Sequence, residues 1–390
     1  MVPIAPEAHL TLFDAIAAVI VIYYWRVGAQ AYKLIGGLML ISVIAMAASG
    51  YMYGTPLQPF LGRAYPMMAA AMEVCAYFVL ILLGDDRRRA ALVAGSMLGI
   101  CAHYFYPSDP RILEEPIKFL IGIPLGTALI ALTVLAARGA NLPLATTMAI
   151  MILYAIFCFL VGSRSIGGAY FVSAVALAFV TFISVPKNYS RIAPFAMLLV
   201  CLATYGVTEL YTMLALNGYF GDRAAGIAAF QTMHGSILLG GRPEIIVNLS
   251  GIRDAPFFGV GIRDYPSIYL YELINLSVYS EENVLGFDNI LYHSAIFGTA
   301  FESGIFSAIF WTFGLYITLF SVPLLRTAYY QTRYYVLPLQ VITVWHLIYS
   351  PPVPYNRFVL AIGLGFSLWL YMSWRSRSHD SDANRAAARA

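Results

Sequence analysis

Four stretches of the chain hold residue types that could do chemistry. Gly162-Ser163-Arg164-Ser165 sets a guanidinium between two hydroxyls where an apolar run ends. Arginine grips a phosphate with two parallel hydrogen bonds, a geometry lysine lacks. The plainer role is an interfacial arginine that ends a helix. Gly240-Gly241-Arg242-Pro243 puts a second arginine beside glycines, which let backbone and anion approach closely; the alternative is a solvated pair with Glu244, which contributes little. His293, in Asn289-Ile290-Leu291-Tyr292-His293-Ser294, carries an imidazole whose ordinary pKa of about 6.5 suits proton transfer from a hydroxyl near neutral pH. Its plainer role is a polar interface residue at a helix start. Glu302, in Phe301-Glu302-Ser303-Gly304, lies nine residues further on. At about 100° per residue a regular helix turns it away from His293, so a Glu–His dyad is not expected. A carboxylate that bonds a neighbouring helix is the better reading, and Asp14 and Glu73, acids within apolar runs, are treated alike.

Other features are weaker. Gly251-Ile252-Arg253-Asp254-Ala255-Pro256 is nearly repeated as Gly261-Ile262-Arg263-Asp264-Tyr265-Pro266, which adds Arg253 and Arg263 to the candidate anion contacts. Between them Pro256-Phe257-Phe258-Gly259-Val260-Gly261 has the glycines for a tight turn or a close ligand approach. Tyr265, Tyr269 and Tyr271 are candidates for stacking on sugar rings. His9, His103, His234, His346 and His379 lack a placement comparable to that of His293. The four cysteines, Cys75, Cys101, Cys158 and Cys201, lie in apolar segments without metal-ligand spacing and read as packing residues. No phosphate loop, HExxH or nucleophile elbow occurs.

These residues must be positioned by membrane helices. Of 390 residues 60% are hydrophobic and 11% charged, with a mean hydropathy of +0.75, against roughly 45–50% apolar and about 25% charged in soluble domains. That excludes a soluble globular enzyme. The net charge of +3 gives no footprint for nucleic acid. With about 20 apolar residues needed per crossing, eleven spans are expected, near 10–25, 33–50, 67–84, 90–106, 117–137, 143–162, 168–185, 192–215, 294–322, 335–349 and 357–374. The fold class is therefore an all-α polytopic integral membrane protein, with residues 1–374 as one transmembrane domain and 375–390 as a disordered cytoplasmic tail. The N-terminus lacks a basic region and a cleavage site, so the first apolar segment is expected to be retained. An external N-terminus places fourteen of the 23 basic residues in the cytoplasm, with Asp85-Asp86-Arg87-Arg88-Arg89 as the firmest anchor. Residues 216–292 then form one long external loop carrying four arginines and eight acids, and long loops of this kind usually carry function.

In this order the motifs resemble the O-antigen ligase and polymerase superfamily of bacterial envelope glycan enzymes. The resemblance is carried by Ser163-Arg164-Ser165 at an outer helix end, Gly241-Arg242 in the long loop, Pro256-Phe257-Phe258-Gly259-Val260-Gly261 within it, and His293 with Glu302-Ser303-Gly304 at re-entry, across residues 162–304. It departs from the family at Pro243-Glu244-Ile245-Ile246, where an aromatic is common, at Ser294, where Asn is common, and in the span count, twelve being usual.

The resemblance implies a C-type glycosyltransferase architecture in the bacterial inner membrane, with its active site on the periplasmic face. It implies transfer of a glycan from undecaprenyl diphosphate to an acceptor sugar, either a lipid A core in a ligase or another lipid-linked repeat in a polymerase. Arg164 and Arg242 would hold the diphosphate, His293 would activate the acceptor hydroxyl, and Ser163, Ser165, Arg253, Arg263 and Glu302 would contact substrate. No cofactor or metal is expected, since arginines supply the charge stabilisation. The expected first external loop, 51–66, has no acid, although Asp109, Glu114 and Glu115 in the next keep a metal open. A reading from another class is a transporter or flippase of lipid-linked sugars, with Asp14, Glu73 and Glu302 along a pathway.

Overall fold

The computed structural model describes residues 2–5, 8–105, 111–137, 144–182, 206, 208–232, 242–263, 265–276, 291–326, 331–352 and 354–387. Apart from a small antiparallel hairpin, Val2–Ala5 with Ala8–Leu10, the described chain is helical. In chain order the helices are α1 (Leu12–Tyr23), α2 (Trp25–Met52), α3 (Leu57–Leu83), α4 (Asp86–Ala102), α5 (Gly122–Ala136, entered through a π turn at Ile117–Ile121), α6 (Leu144–Leu160), α7 (Arg164–Phe182), α8 (Asp222–Thr232), α9 (Pro243–Asp254), α10 (Ser267–Leu276), α11 (Phe297–Ser303), α12 (Ile309–Ser321), α13 (Thr332–Tyr349) and α14 (Pro354–Ala387). Six of the described segments are long and apolar enough to cross a membrane, which is the signature of an α-helical membrane protein: α2, α3, the π turn with α5, α7, α12 with the 3-10 turn after it, and α14. The expected span at 192–215 lies largely outside the described residues.

Local signals set the helix ends. Thr11 and Asp14 form a reciprocal capping box at the start of α1: the Asp14 N–H donates to the Thr11 hydroxyl at 3.2 Å, and the Thr11 N–H donates to the Asp14 carboxylate at 2.6 Å. Asp85 caps α4 by accepting the Arg88 N–H at 2.8 Å. Between α6 and α7 the chain reverses at Gly162, whose φ of 80° is accessible to glycine at little cost. Of these six segments α3 and α14 are the most enclosed, each with 72% of its apolar window buried, and they pack on one another.

Four expectations are corrected. Helix α3 starts at Leu57 and not near 67, with Pro59 in its first turn, where proline is tolerated, so Arg63 belongs to a buried helix. The expected span at 294–322 is two helices: α11 stops at Gly304 (φ 82°) and α12 begins at Ile309. A Cβ at Gly304 would sit 2.0 Å from the Phe257 carbonyl oxygen, so the break comes from a close approach of the chain. Because His293 precedes α11, the regular-helix geometry between it and Glu302 does not apply. The loop expected at 216–292 contains α8, α9 and α10, and its Val247, Val260, Tyr269, Leu273 and Leu291 form a small core with Phe301 of α11. Finally, α14 continues to Ala387 through the expected disordered tail, whose alanines and arginines are strong helix formers.

The break at Gly304 supports a direct prediction. Gly304→Ala puts an L side chain at a strained φ against backbone, at a cost of about 1–3 kcal/mol, and should lower the melting temperature in detergent. Gly36→Ala, where an added Cβ meets open space within α2, should leave it unchanged or slightly raised.

Candidate functional site

At one end of the bundle the helices surround a cavity of about 240 Å³. Its walls come from the C-terminal ends of α4 and α13 and the N-terminal ends of α5, α7 and α14, with Arg242 and His293 contributed by segments that flank the spans. Ile100, Leu120, Ile123, Ile166, Ile342 and Val359 supply apolar wall, while Lys118, Ser165, Arg242, His293, His346 and Asn356 supply polar groups. An apolar recess with a few convergent polar groups is the usual form of a ligand site.

Arg242 takes the N-cap position of α9, followed by Pro243, which starts the helix without needing a hydrogen-bond partner for its nitrogen. It is half-buried, and among the described residues it has no ion-pair partner. The expected alternative, pairing with Glu244, does not form: Glu244 is buried, and its Oε2 has no hydrogen-bond partner. A partly desolvated guanidinium on a cavity wall is suited to an anion. His293 lies half-buried between Tyr292 and Ser294, and Ser165 reaches the same cavity from the first turn of α7. Residues far apart in the chain, 165, 242 and 293, thus meet around one space.

The remaining sequence candidates lie elsewhere. Arg164 is next to Ser165 but not on the cavity wall; its guanidinium stands 5.5 Å from the centre of the Tyr211 ring. Ser163 is buried in the turn before α7. Arg253 is exposed and sits 3.2 Å from Asp254. Arg263, with a φ of 63°, holds the one positive φ outside glycine among the described residues. The near-repeat has no structural counterpart: Gly251-Ile252-Arg253-Asp254 ends helix α9, whereas Gly261 and Arg263 belong to a turn, and Asp264 lies outside the described residues.

Glu302 is not on the cavity wall. Its carboxylate takes two hydrogen bonds from Arg63, at 2.6 and 2.8 Å, and both side chains are 1% exposed. The Tyr265 hydroxyl also donates to it, and the Tyr292 ring lies 3.8 Å from the Arg63 guanidinium carbon. Burial, and then the Glu302 carboxylate, push the Tyr265 phenol well above its ordinary range, so it remains a donor. Next to this pair the Val260 and Gly261 N–H groups donate to the carbonyls of Phe301 and Glu302 at 2.9 and 3.1 Å, and a Cβ at Gly259 would come within 2.4 Å of that backbone. The Phe-Phe-Gly-Val-Gly and Glu-Ser-Gly motifs are thus two sides of one backbone contact. Tyr269, a stacking candidate, packs its ring against Phe301 in the small core.

Asp14 and Glu73 are also committed. Arg357, 1% exposed, reaches Asp14 at 2.8 Å and Glu73 at 3.0 Å, and the Tyr65 hydroxyl donates to Asp14 at 3.0 Å.

Sequence reasoning passed over His346, Trp345, Tyr349, Lys118 and Asn356 on the cavity wall. The available signal was the Trp345-His346-Leu347-Ile348-Tyr349 run at the end of an apolar segment, where spacing of four brings Trp345 and Tyr349 together and sets a polar ring beside them. Their rings do stack, with centroids 4.5 Å apart.

Set against known proteins, the chain matches no family model, no curated protein and no solved structure.

Glu302→Gln preserves shape but leaves Arg63 buried without its counter-charge, a change that costs about 3–5 kcal/mol in buried pairs. The expected outcome is a clear fall in melting temperature in detergent and faster proteolysis within residues 242–276; a wild-type melting curve would show that the pair does not fasten this segment.

Proposed function

We propose that the chain is a membrane glycosyltransferase that moves a glycan from undecaprenyl diphosphate to the hydroxyl of an acceptor sugar. The observation that carries this reading is the meeting of Arg242, His293 and Ser165 around a cavity whose wall also carries the apolar side chains Ile100, Leu120, Ile123, Ile166, Ile342 and Val359. A lipid-linked diphosphate sugar needs such a combination: a cation for the diphosphate, a base near the acceptor hydroxyl, and apolar surface for the first isoprenes. The resemblance of residues 162–304 to O-antigen ligases and polymerases agrees with it.

In this reading the acceptor oxygen attacks the anomeric carbon, a new C–O bond forms, and the bond from that carbon to the diphosphate oxygen breaks. The electron pair leaves with undecaprenyl diphosphate. His293 accepts the proton of the acceptor hydroxyl. Arg242 neutralises the charge gathering on the leaving group, with Arg164 approaching from the start of α7 as the diphosphate enters. No step requires a metal or an organic cofactor. The cavity lies at the bundle end opposite Arg87, Arg88, Arg89, Arg326 and Arg333, and the positive-inside bias supports a periplasmic site in this reading. Eleven spans follow if α1, α4, α6, α13 and the 192–215 segment also cross.

Ligase and polymerase share this chemistry and differ in acceptor, a lipid A core against another lipid-linked repeat; the ligase is the first choice because the placement of His293 where the chain re-enters the membrane resembles that branch. A transporter finds less support, because Asp14, Glu73 and Glu302, the charges offered for a pathway, each bind a buried arginine.

With the protein in detergent and an undecaprenyl-diphosphate glycan as donor, Arg242→Ala and His293→Ala should each lower transfer by at least about 100-fold, with melting temperatures near wild type. Arg164→Ala should lower it as well. Unchanged transfer in both Arg242→Ala and His293→Ala would overturn the assignment. In a strain lacking the gene, long polymer retained on the carrier identifies a ligase, and single repeat units identify a polymerase.

A further inference from the structure

His346 occupies the last turn of α13, where its imidazole is 4% exposed and lines the same cavity as Arg242 and His293. Among the described residues, no group hydrogen-bonds either ring nitrogen. Buried polar atoms are almost always hydrogen-bonded, and one left without a partner weakens the fold. A residue of this kind inside a cavity wall marks a place where ligand binding, not folding, uses the side chain.

The chemistry of the ring narrows the ligand. A neutral imidazole offers one donor and one acceptor. A phosphate offers acceptors only, and the cavity already supplies a guanidinium for it in Arg242. A sugar hydroxyl offers both, so a pair of adjacent hydroxyls meets both nitrogens at once. On either side of His346 in the chain, Trp345 and Tyr349 present stacked rings to the same cavity, and aromatic faces are the common partner for the apolar C–H face of a pyranose.

We propose that His346 is a sugar-binding residue whose two nitrogens hydrogen-bond hydroxyls of the glycan in this cavity, beside the aromatic pair Trp345 and Tyr349. The inference rests on the transferase reading and adds to it the wall that recognises sugar as opposed to diphosphate. His293 acts on the proton of the reacting hydroxyl, while His346 holds hydroxyls that do not react.

The test uses the full-length protein in detergent, with His346→Leu and His346→Gln beside wild type and undecaprenyl-diphosphate-linked N-acetylglucosamine as the probe. The protein alone is melted first. Because leucine fills the space without leaving unpaired nitrogens, His346→Leu should melt at or above the wild-type temperature; a clear fall would make the histidine structural and overturn the proposal. Probe binding and transfer are then measured. Loss of the sugar contacts should raise Kd and KM by about tenfold or more, with kcat changed far less, and His346→Gln, which keeps a donor and an acceptor, should recover much of the affinity. Wild-type Kd and KM in His346→Leu would overturn the proposal. Failure of the transferase reading looks different: wild type then binds the probe without transferring its sugar, and weaker binding by His346→Leu still supports the role given to His346. Absence of probe binding by wild type overturns both.

Discussion

The contact between Arg63 and Glu302 is the constraint on which the arrangement of this protein depends. Arg63 comes from α3 and Glu302 from the short helix where the chain re-enters the bundle, and both are 1% exposed. Neither charge is tolerable alone in such surroundings. Their pairing therefore admits few positions for the residues between. Tyr265 donates to Glu302 from the 242–276 segment, and Tyr292 covers the guanidinium face. His293 follows Tyr292 directly. Arg242 begins α9, whose Gly251 lies against Phe301, the neighbour of Glu302. The two cavity residues that matter most to the proposed chemistry are placed, within one or two contacts each, by a charge pair that takes no part in it. Replacing such a pair with apolar side chains can leave stability unchanged, so its value here is geometric.

A second buried arginine does the same for the other wall. Arg357 binds Asp14 and Glu73, fastening the start of α14 to α1 and α3. Tyr355 and Asn356, the residues just before it, face the cavity, as does Val359 one half-turn later. With Ser49 donating to the Phe258 carbonyl at 2.6 Å and Tyr53 to the Gly259 carbonyl at 2.7 Å, the flanking segment is held by α2 as well. Rigid elements thus carry the site, and functional groups held by such elements keep their geometry better than groups on free loops.

Composition and apolar periodicity made the helical membrane architecture legible, because a bilayer leaves so few alternatives for a chain this rich in hydrophobic residues. Arg242 and His293 stand out in the sequence from the residues around them, and the structure brings both to one cavity wall. The break at Gly304 was not: Phe301 to Ile317 reads as continuous apolar helix, and only the approach of Phe257, distant in sequence, requires a left-handed glycine there. Arg63 was assigned to a loop because a helix containing Pro59, Arg63 and Pro66 contradicts local propensity, and tertiary pairing overrides it. His346 was passed over since a lone histidine in an apolar run looks like many others until its neighbours across the cavity are known.

The charged and polar residues of the buried interior divide by whether the protein satisfies them. Glu302 and Asp14, two of the acids that suggested a pathway, are held by arginine and tyrosine contacts, and Glu73 meets Arg357 through one carboxylate oxygen while the other has no hydrogen-bond partner among the described residues. Among the described residues Arg242 has no ion-pair partner and His346 no hydrogen-bond partner at either nitrogen, and the two face the same space. Binding energy is drawn most effectively from groups whose interactions are not already made within the protein. The glycine motifs follow the same logic in reverse: Gly259 and Gly304 are consumed by a close contact between two parts of the chain and have no room for a ligand. What favours this cavity as the proposed site is therefore less the presence of arginine and histidine, which occur throughout the chain, than the convergence on one space of Arg242, without an ion-pair partner among the described residues, and His346, without a hydrogen-bond partner among them.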